Sequence, residues 1–297
     1  MSQRLWKRSE IQIRDPFVLR HDGEGCYYLF GSTDKDIWKS KGTGFNAYRS
    51  TDLENWEGPF PAFRPEPGFW ADRNFWAPEV HEYRGRYYMF ATFKAEGVCR
   101  GTQILAADHP LGPFRPHSDG PVTPRDWECL DGTLYVDGNG RPWMVFCHEW
   151  VQIFNGTICA LPLSEDLREA AGEPVELFSA KDAPWTEPVK GGAGYVTDGP
   201  FLFRTRDGQL LMLWSSFRNG KYAQGVARSV SGDVLGPWVQ EEAPLYNDDG
   251  GHGMLFRTFD DRLMLTLHAP NKTPDERMVL IELEESAGRL RLVRGPM

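Results

Sequence analysis

Residues Asp15 to Ser32 read DPFVLRHDGEGCYYLFGS. A short apolar strand runs into a turn rich in Asp and Gly, and a second strand heavy in aromatic and aliphatic residues follows, which is the pattern of a hairpin. The phrase returns as APEVHEYRGRYYMFAT from Ala77, DGTLYVDGNGRPWMVFCH from Asp131, DGPFLFRTRDGQLLMLWSS from Asp198 and HGMLFRTFDDRLMLTLHAP from His252. Five copies lie roughly 50 to 65 residues apart, the spacing of a repeated supersecondary unit. Between them run further strand-like pieces such as FNAYRSTDLENWEGP, TQILAADHPLGPFRP and YAQGVARSVSGDVLGPW. Four short strands per repeat make a propeller blade, so the expected fold is all-β, a five-bladed β-propeller over residues 1–297 as one domain. A sandwich or β-helix would not reset to one phrase at this period. The charged stretch SEDLREAA from Ser164 is the best helix signal, and its repeat position predicts the closing of a blade instead.

The first strand of a propeller blade lines the central channel. The opening positions of the phrase, Asp15, Ala77, Asp131, Asp198 and His252, are therefore expected to converge at one mouth. Three carboxylates gathered there suit hydrolysis with inversion, in which one carboxylate activates water and a protonated one donates to the leaving oxygen. A third raises the pKa of the acid by repulsion. Asp before Gly or Pro also serves turns, but a turn requirement would have kept a turn residue in all five copies.

RDPFV, WAPEV, LDGTLYVD and TDGPFLF, in this order along the chain, resemble glycoside hydrolase family 43, five-bladed enzymes acting on arabinose-, xylose- and galactose-containing glycans. The resemblance implies Asp15 as general base, Asp131 as the carboxylate tuning the acid, and Asp198 as general acid. The family usually has Glu where Asp198 stands, one methylene longer, so Glu187 and Glu149 are alternative proton donors. Glu79, two residues beyond Ala77, is expected to face the channel beside the substrate or to pair with an arginine such as Arg73 or Arg86. His252, flanked by glycines, is expected near the site. The resemblance requires no cofactor and admits a hydrated calcium ion near His252. Trp76 and Trp127 are read as sugar platforms, with Trp150 and Trp214 open between platform and core. Asn74, Phe75 and residues 194–197 are further expected walls.

The 11 Trp, 10 Tyr and 18 Phe exceed what a core alone uses. A net charge of −9 with no basic cluster argues against nucleic acid. Five cysteines without metal-ligand spacing read as buried free thiols. The terminus MSQRLWKRSE lacks an apolar stretch after its basic residues, and apolar runs elsewhere are strand-sized. The expectation is a cytoplasmic inverting hydrolase that removes pentosyl units, foremost α-L-arabinofuranosyl, from oligosaccharides, with no membrane or nucleic-acid partner and its oligomeric state open. The alternatives are xylosyl or galactosyl specificity on the same site, or a sugar-binding propeller without turnover.

Overall fold

The computed structural model describes residues 4–189 and 191–293; the ends of the expected 1–297 domain, 1–3 and 294–297, lie outside them. Its strands form five antiparallel sheets in a ring, each laid down from the channel outwards. The inner strands are Arg14–His21, Arg73–Tyr83, Cys129–Val136, Asp198–Arg204 and Gly251–Arg257. Blade 1 carries a fifth, outermost strand, Leu5–Lys7, paired with Asn55–Phe63. The stretch from Ser164 is a turn closed by a Leu163–Ala170 bridge, as the repeat predicts.

No strand is shared between the first and last blades among the described residues. Closure rests on a Gln12–Arg277 bridge, a hydrogen bond from the Ile13 N–H to Glu276 O (3.3 Å) and a buried ion pair between Arg14 and Glu276 (3.0 Å). Apolar seams fill the wedges between blades. Phe45, Phe63, Phe75 and Phe93 meet between blades 1 and 2, and Phe178, Trp185 and Trp214 between blades 3 and 4.

Every inner strand breaks register at the repeated phrase. In blade 1 Arg14 pairs with Ser32 and Phe17 with Phe30, so two residues bulge where one would pair back. The same step lies between Trp76 and Glu79, Leu130 and Thr133, Asp198 and Phe201, and Gly251 and Met254. The first bulged residue takes a left-handed conformation: Asp15 (φ 54°), Ala77 (45°), Asp131 (56°), Gly199 (54°) and His252 (52°). This corrects the repeat alignment. Gly199, not Asp198, stands with Asp15, Asp131 and His252, and Asp198 falls one residue earlier, with Arg14, Trp76, Leu130 and Gly251.

The hydrogen bonds freed by the bulges explain the phrase. The first bulged N–H donates to a side chain on the second strand of the preceding blade: Asp15 to His268 Nδ1 (3.2 Å), Ala77 to Ser32 Oγ (2.8 Å), Asp131 to Thr92 Oγ1 (2.9 Å) and His252 to Ser215 Oγ (2.8 Å). Cys147 holds the corresponding place in blade 3, opposite Leu130, and there the Gly199 N–H turns to Asp131 Oδ2 (3.0 Å). The second bulged residue is Pro16, Pro78 or Pro200, with nothing to donate, or a glycine given an acceptor: Gly132 by Thr102 Oγ1 (3.2 Å) and Gly253 by Gln224 Oε1 (2.7 Å). Buried N–H groups left unpaired are costly, and here each finds a partner.

Candidate active site

The bulges drive Asp15, Asp131 and His252 against one another at the channel mouth. His252 Nδ1 lies 3.2 Å from Asp15 Oδ1 and 3.5 Å from Asp131 Oδ2. Ser32 Oγ donates to Asp15 Oδ2 (2.7 Å) and the Tyr222 hydroxyl to Asp198 Oδ2 (3.0 Å). A glycine at 199 is dictated by this packing, since a Cβ there would come within 2.7 Å of the His252 ring. Non-glycine residues held left-handed carry backbone strain, and three of the four named here are the site's own polar residues.

These groups line a cavity of about 480 Å³. Arg14, Trp76, Leu130 and Asp198, all from the position just before the bulge, form its wall. Loops add Ile37 and Trp38 from blade 1, Glu149, Trp150 and Val151 from blade 3, and Asn271 and Thr273 from blade 5. Trp38 is 53% exposed; it meets the Trp76 ring edge-on at 5.2 Å, and its Nε1 donates to Thr273 Oγ1 (3.2 Å). Trp76 is fixed by its Nε1 hydrogen bond to Ile37 O (2.9 Å) and by the Arg100 guanidinium 4.6 Å over its ring.

Burial opposes ionisation of every acid here, and the neighbours decide which one ionises. For Asp15 burial is outweighed by the charges of His252 and Arg14 and by the Ser32 hydrogen bond, so its pKa lies below the usual carboxylate value. Asp131 is pushed up to about 7 by burial, to which repulsion from Asp198 and Asp15 adds, against the relief from His252 and the Gly199 N–H. Asp198 is also raised, by burial first and by Asp15, against the pull of His252, Tyr222 and Arg14. Both therefore keep their protons to higher pH than Asp15 does. Burial lowers the pKa of His252, but Asp15, Asp131, Asp198 and Glu79 together raise it, making it the cation among the acids. Burial holds His268 well below the ordinary value, and this neutral ring accepts the Asp15 N–H at Nδ1.

Of the expected site residues, the structure brings together Asp15, Asp131, Asp198, His252, Trp76 and Glu149, with Trp150 and Asn74 on the wall. Within 194–197 it is Val196 that lines the cavity, and Phe75 is buried in the seam between blades 1 and 2. Trp127 does not line it; the indole stacks on His148 at 4.2 Å, outside the mouth. Glu79 faces the channel below the site, where it accepts from Thr133 Oγ1 (2.5 Å) and lies 3.1 Å from His81, and neither Arg73 nor Arg86 reaches it. The bulge at Ala77 carried it a layer down. Trp214 is buried core. Glu187 is exposed and accepts the Asn219 N–H (2.8 Å) away from the cavity. Glu149 lines the wall with its carboxylate taken up by Arg100.

His252 Nδ1 is turned to two carboxylates, and among the described residues no cluster of three or more His, Cys, Asp or Glu is arranged to hold a metal ion. Arg14, Trp38, Arg100 and Tyr222 are wall residues the sequence reading did not single out. Arg14 carried a signal, since it precedes its phrase as Trp76 precedes its own.

A five-bladed propeller with one carboxyl of lowered pKa and two of raised pKa at its mouth is the apparatus of an inverting glycoside hydrolase. Comparison with known proteins agrees. The chain belongs to glycosyl hydrolases family 43, which it matches over residues 9–284. It is 44% identical to a solved endo-arabinase from Bacteroides thetaiotaomicron, covering 97% of this chain and 100% of that one with a TM-score of 0.90. It is 26% identical over 265 residues, 82% of this chain and 70% of the relative, to the extracellular exo-α-(1→5)-L-arabinofuranosidase ArbA of Cellvibrio japonicus. A solved endo-1,4-β-xylanase of Bacteroides thetaiotaomicron shares the fold at 23% identity, covering 99% of this chain and 98% of that one, with a TM-score of 0.79.

Proposed function

We propose that this enzyme releases terminal α-L-arabinofuranosyl units from oligosaccharides. The observation that carries the chemistry is the gathering of three acids whose surroundings split them: Asp15 is favoured ionised, and Asp131 and Asp198 are favoured protonated. Asp15 accepts a proton from water as the oxygen attacks the anomeric carbon. The glycosidic C–O bond breaks on the opposite face, and Asp198 gives its proton to the departing oxygen. Asp131 raises the proton affinity of Asp198 by its charge, and Tyr222 orients it. His252 balances Asp15 and Asp131. Direct attack by water inverts the anomeric centre.

The arabinosyl preference draws on the arabinan-degrading relatives. The exo mode draws on the rings and side chains of all five blades closing the wall around one cavity. A cytoplasmic location is read from five unpaired cysteines, four of them buried.

The test is product analysis on α-1,5-linked arabino-oligosaccharides and a panel of aryl pentosides. Arabinose as the sole early product supports the reading. Internal fragments first, or preference for an aryl xyloside, would replace it with an endo-acting or xylosyl one.

A further inference from the structure

The face that carries the active site holds a second cavity, of about 640 Å³, at the outer edge between blades 1 and 2. One wall is the connection after Asn55–Phe63, residues 64–70, which leads into the strand carrying Asn74 and Trp76 to the active site. The other is formed by residues 98–101 and 114–125 of blade 2. Arg100 lines both cavities, so the two adjoin.

Trp70 is half-buried in this second cavity. Its Nε1 donates to Gln103 Oε1 (2.7 Å), while the buried Gln103 donates to Ser118 O (2.9 Å). The indole is thus locked with its polar atom satisfied, leaving an apolar ring for a ligand. Val98, 45% exposed, stands on the opposite wall. The rim arginines are engaged already: Arg115 with Glu66, Arg64 with the Phe45 and Phe63 carbonyls, Arg125 with Asp119 O. A cavity with a fixed ring and rim arginines whose donors are already engaged suits a neutral polyhydroxylated ligand.

We propose that this cavity binds distal units of the oligosaccharide whose terminal unit occupies the active site. The proposal rests on the glycosidase reading and adds a reason for preferring longer chains. The experiment compares an aryl α-L-arabinofuranoside, which fills only the active-site cavity, with arabino-oligosaccharides of increasing length, using wild type, Trp70→Ala and Val98→Arg. Thermal unfolding verifies that each variant is folded, and Val98→Arg, at an exposed position, serves if Trp70→Ala is not. The expected result is a KM that falls with chain length in wild type and rises about fivefold for the longest chain in the variants, the loss of one stacking contact, with kcat/KM on the aryl substrate within about twofold. Unchanged KM for the longest chain in the folded variants overturns the distal site and leaves the glycosidase reading standing. No hydrolysis of either substrate by wild type overturns both.

Discussion

Asp198 is where the chain departs from the usual family residue, and its surroundings account for the shorter arm. It stands on the cavity wall one residue ahead of the bulge, with one carboxyl oxygen held by Tyr222, itself fully buried and stacked on His268 at 5.6 Å. As the proton donor, Asp198→Ala is predicted to slow alkyl arabinosides about 10²–10⁴-fold and aryl arabinosides, whose leaving group needs little protonation, far less. Asp198→Glu retains measurable activity. Equal losses on both substrates would confine Asp198 to shaping the wall. The pH profile follows from the same charges. Activity requires ionised Asp15, whose pKa is depressed, and a protonated Asp198, whose pKa is raised by burial and by Asp15. The rate is therefore predicted to fall as pH rises through the raised pKa of Asp198 and to hold into the acid range until Asp15 takes up a proton. Asp131→Asn removes a like charge, lowers the pKa of the donor and moves the alkaline limb to lower pH. A limb that stays put would separate Asp131 from the titration.

The bulge is the element that converts a repeated strand into a site, and its hydrogen bonds tie each blade to the next. Ser215→Ala leaves the buried His252 N–H without its acceptor, a loss of about 1–3 kcal/mol. The prediction is a fall in Tm of several degrees, together with a larger fall in activity than Thr92→Val causes at Asp131. A Ser215→Ala protein as stable and active as wild type would show that the acceptor is dispensable. The bulge also explains what could be read from the sequence at this scale. Asp15, Asp131 and His252 were legible because the phrase marks the first bulged residue. Asp198 was named for the wrong repeat position: DGP was aligned on its Asp, whereas Pro200 belongs with Pro16 and Pro78. Glu79 faces the channel as counting two residues along the strand implied, but it lies outside the active-site cavity. The acceptors Ser32, Thr92, Ser215 and His268 stood in the quoted phrases too, on the second strands of their blades. Their role depends on a neighbouring blade, which no local pattern reveals.

At the scale of the molecule, the ring closes through side chains and single bridges, with no strand shared between its ends among the described residues. Glu276 is fully buried against Arg14, which also lines the active-site cavity. Glu276→Ala strands a buried guanidinium at a cost of about 3–5 kcal/mol, whereas Glu165→Ala, which breaks an exposed pair with Arg84, costs less than about 1 kcal/mol. Chemical denaturation of the two variants checks the contrast, and similar midpoints would contradict it. The fold was legible because five copies of one phrase repeat a single local solution. Trp38, Arg100, Tyr222 and Thr273 were not, because they reach the cavity from loops and outer strands whose positions exist only once the ring has closed. The account's central claim is that this ring sets an ionised Asp15 to activate water against a proton-bearing Asp198. The most direct test is a proton NMR time course of the first anomer released from an α-L-arabinofuranoside. The account predicts the β anomer first, with the α anomer growing in only by mutarotation; release of the α anomer first would contradict it.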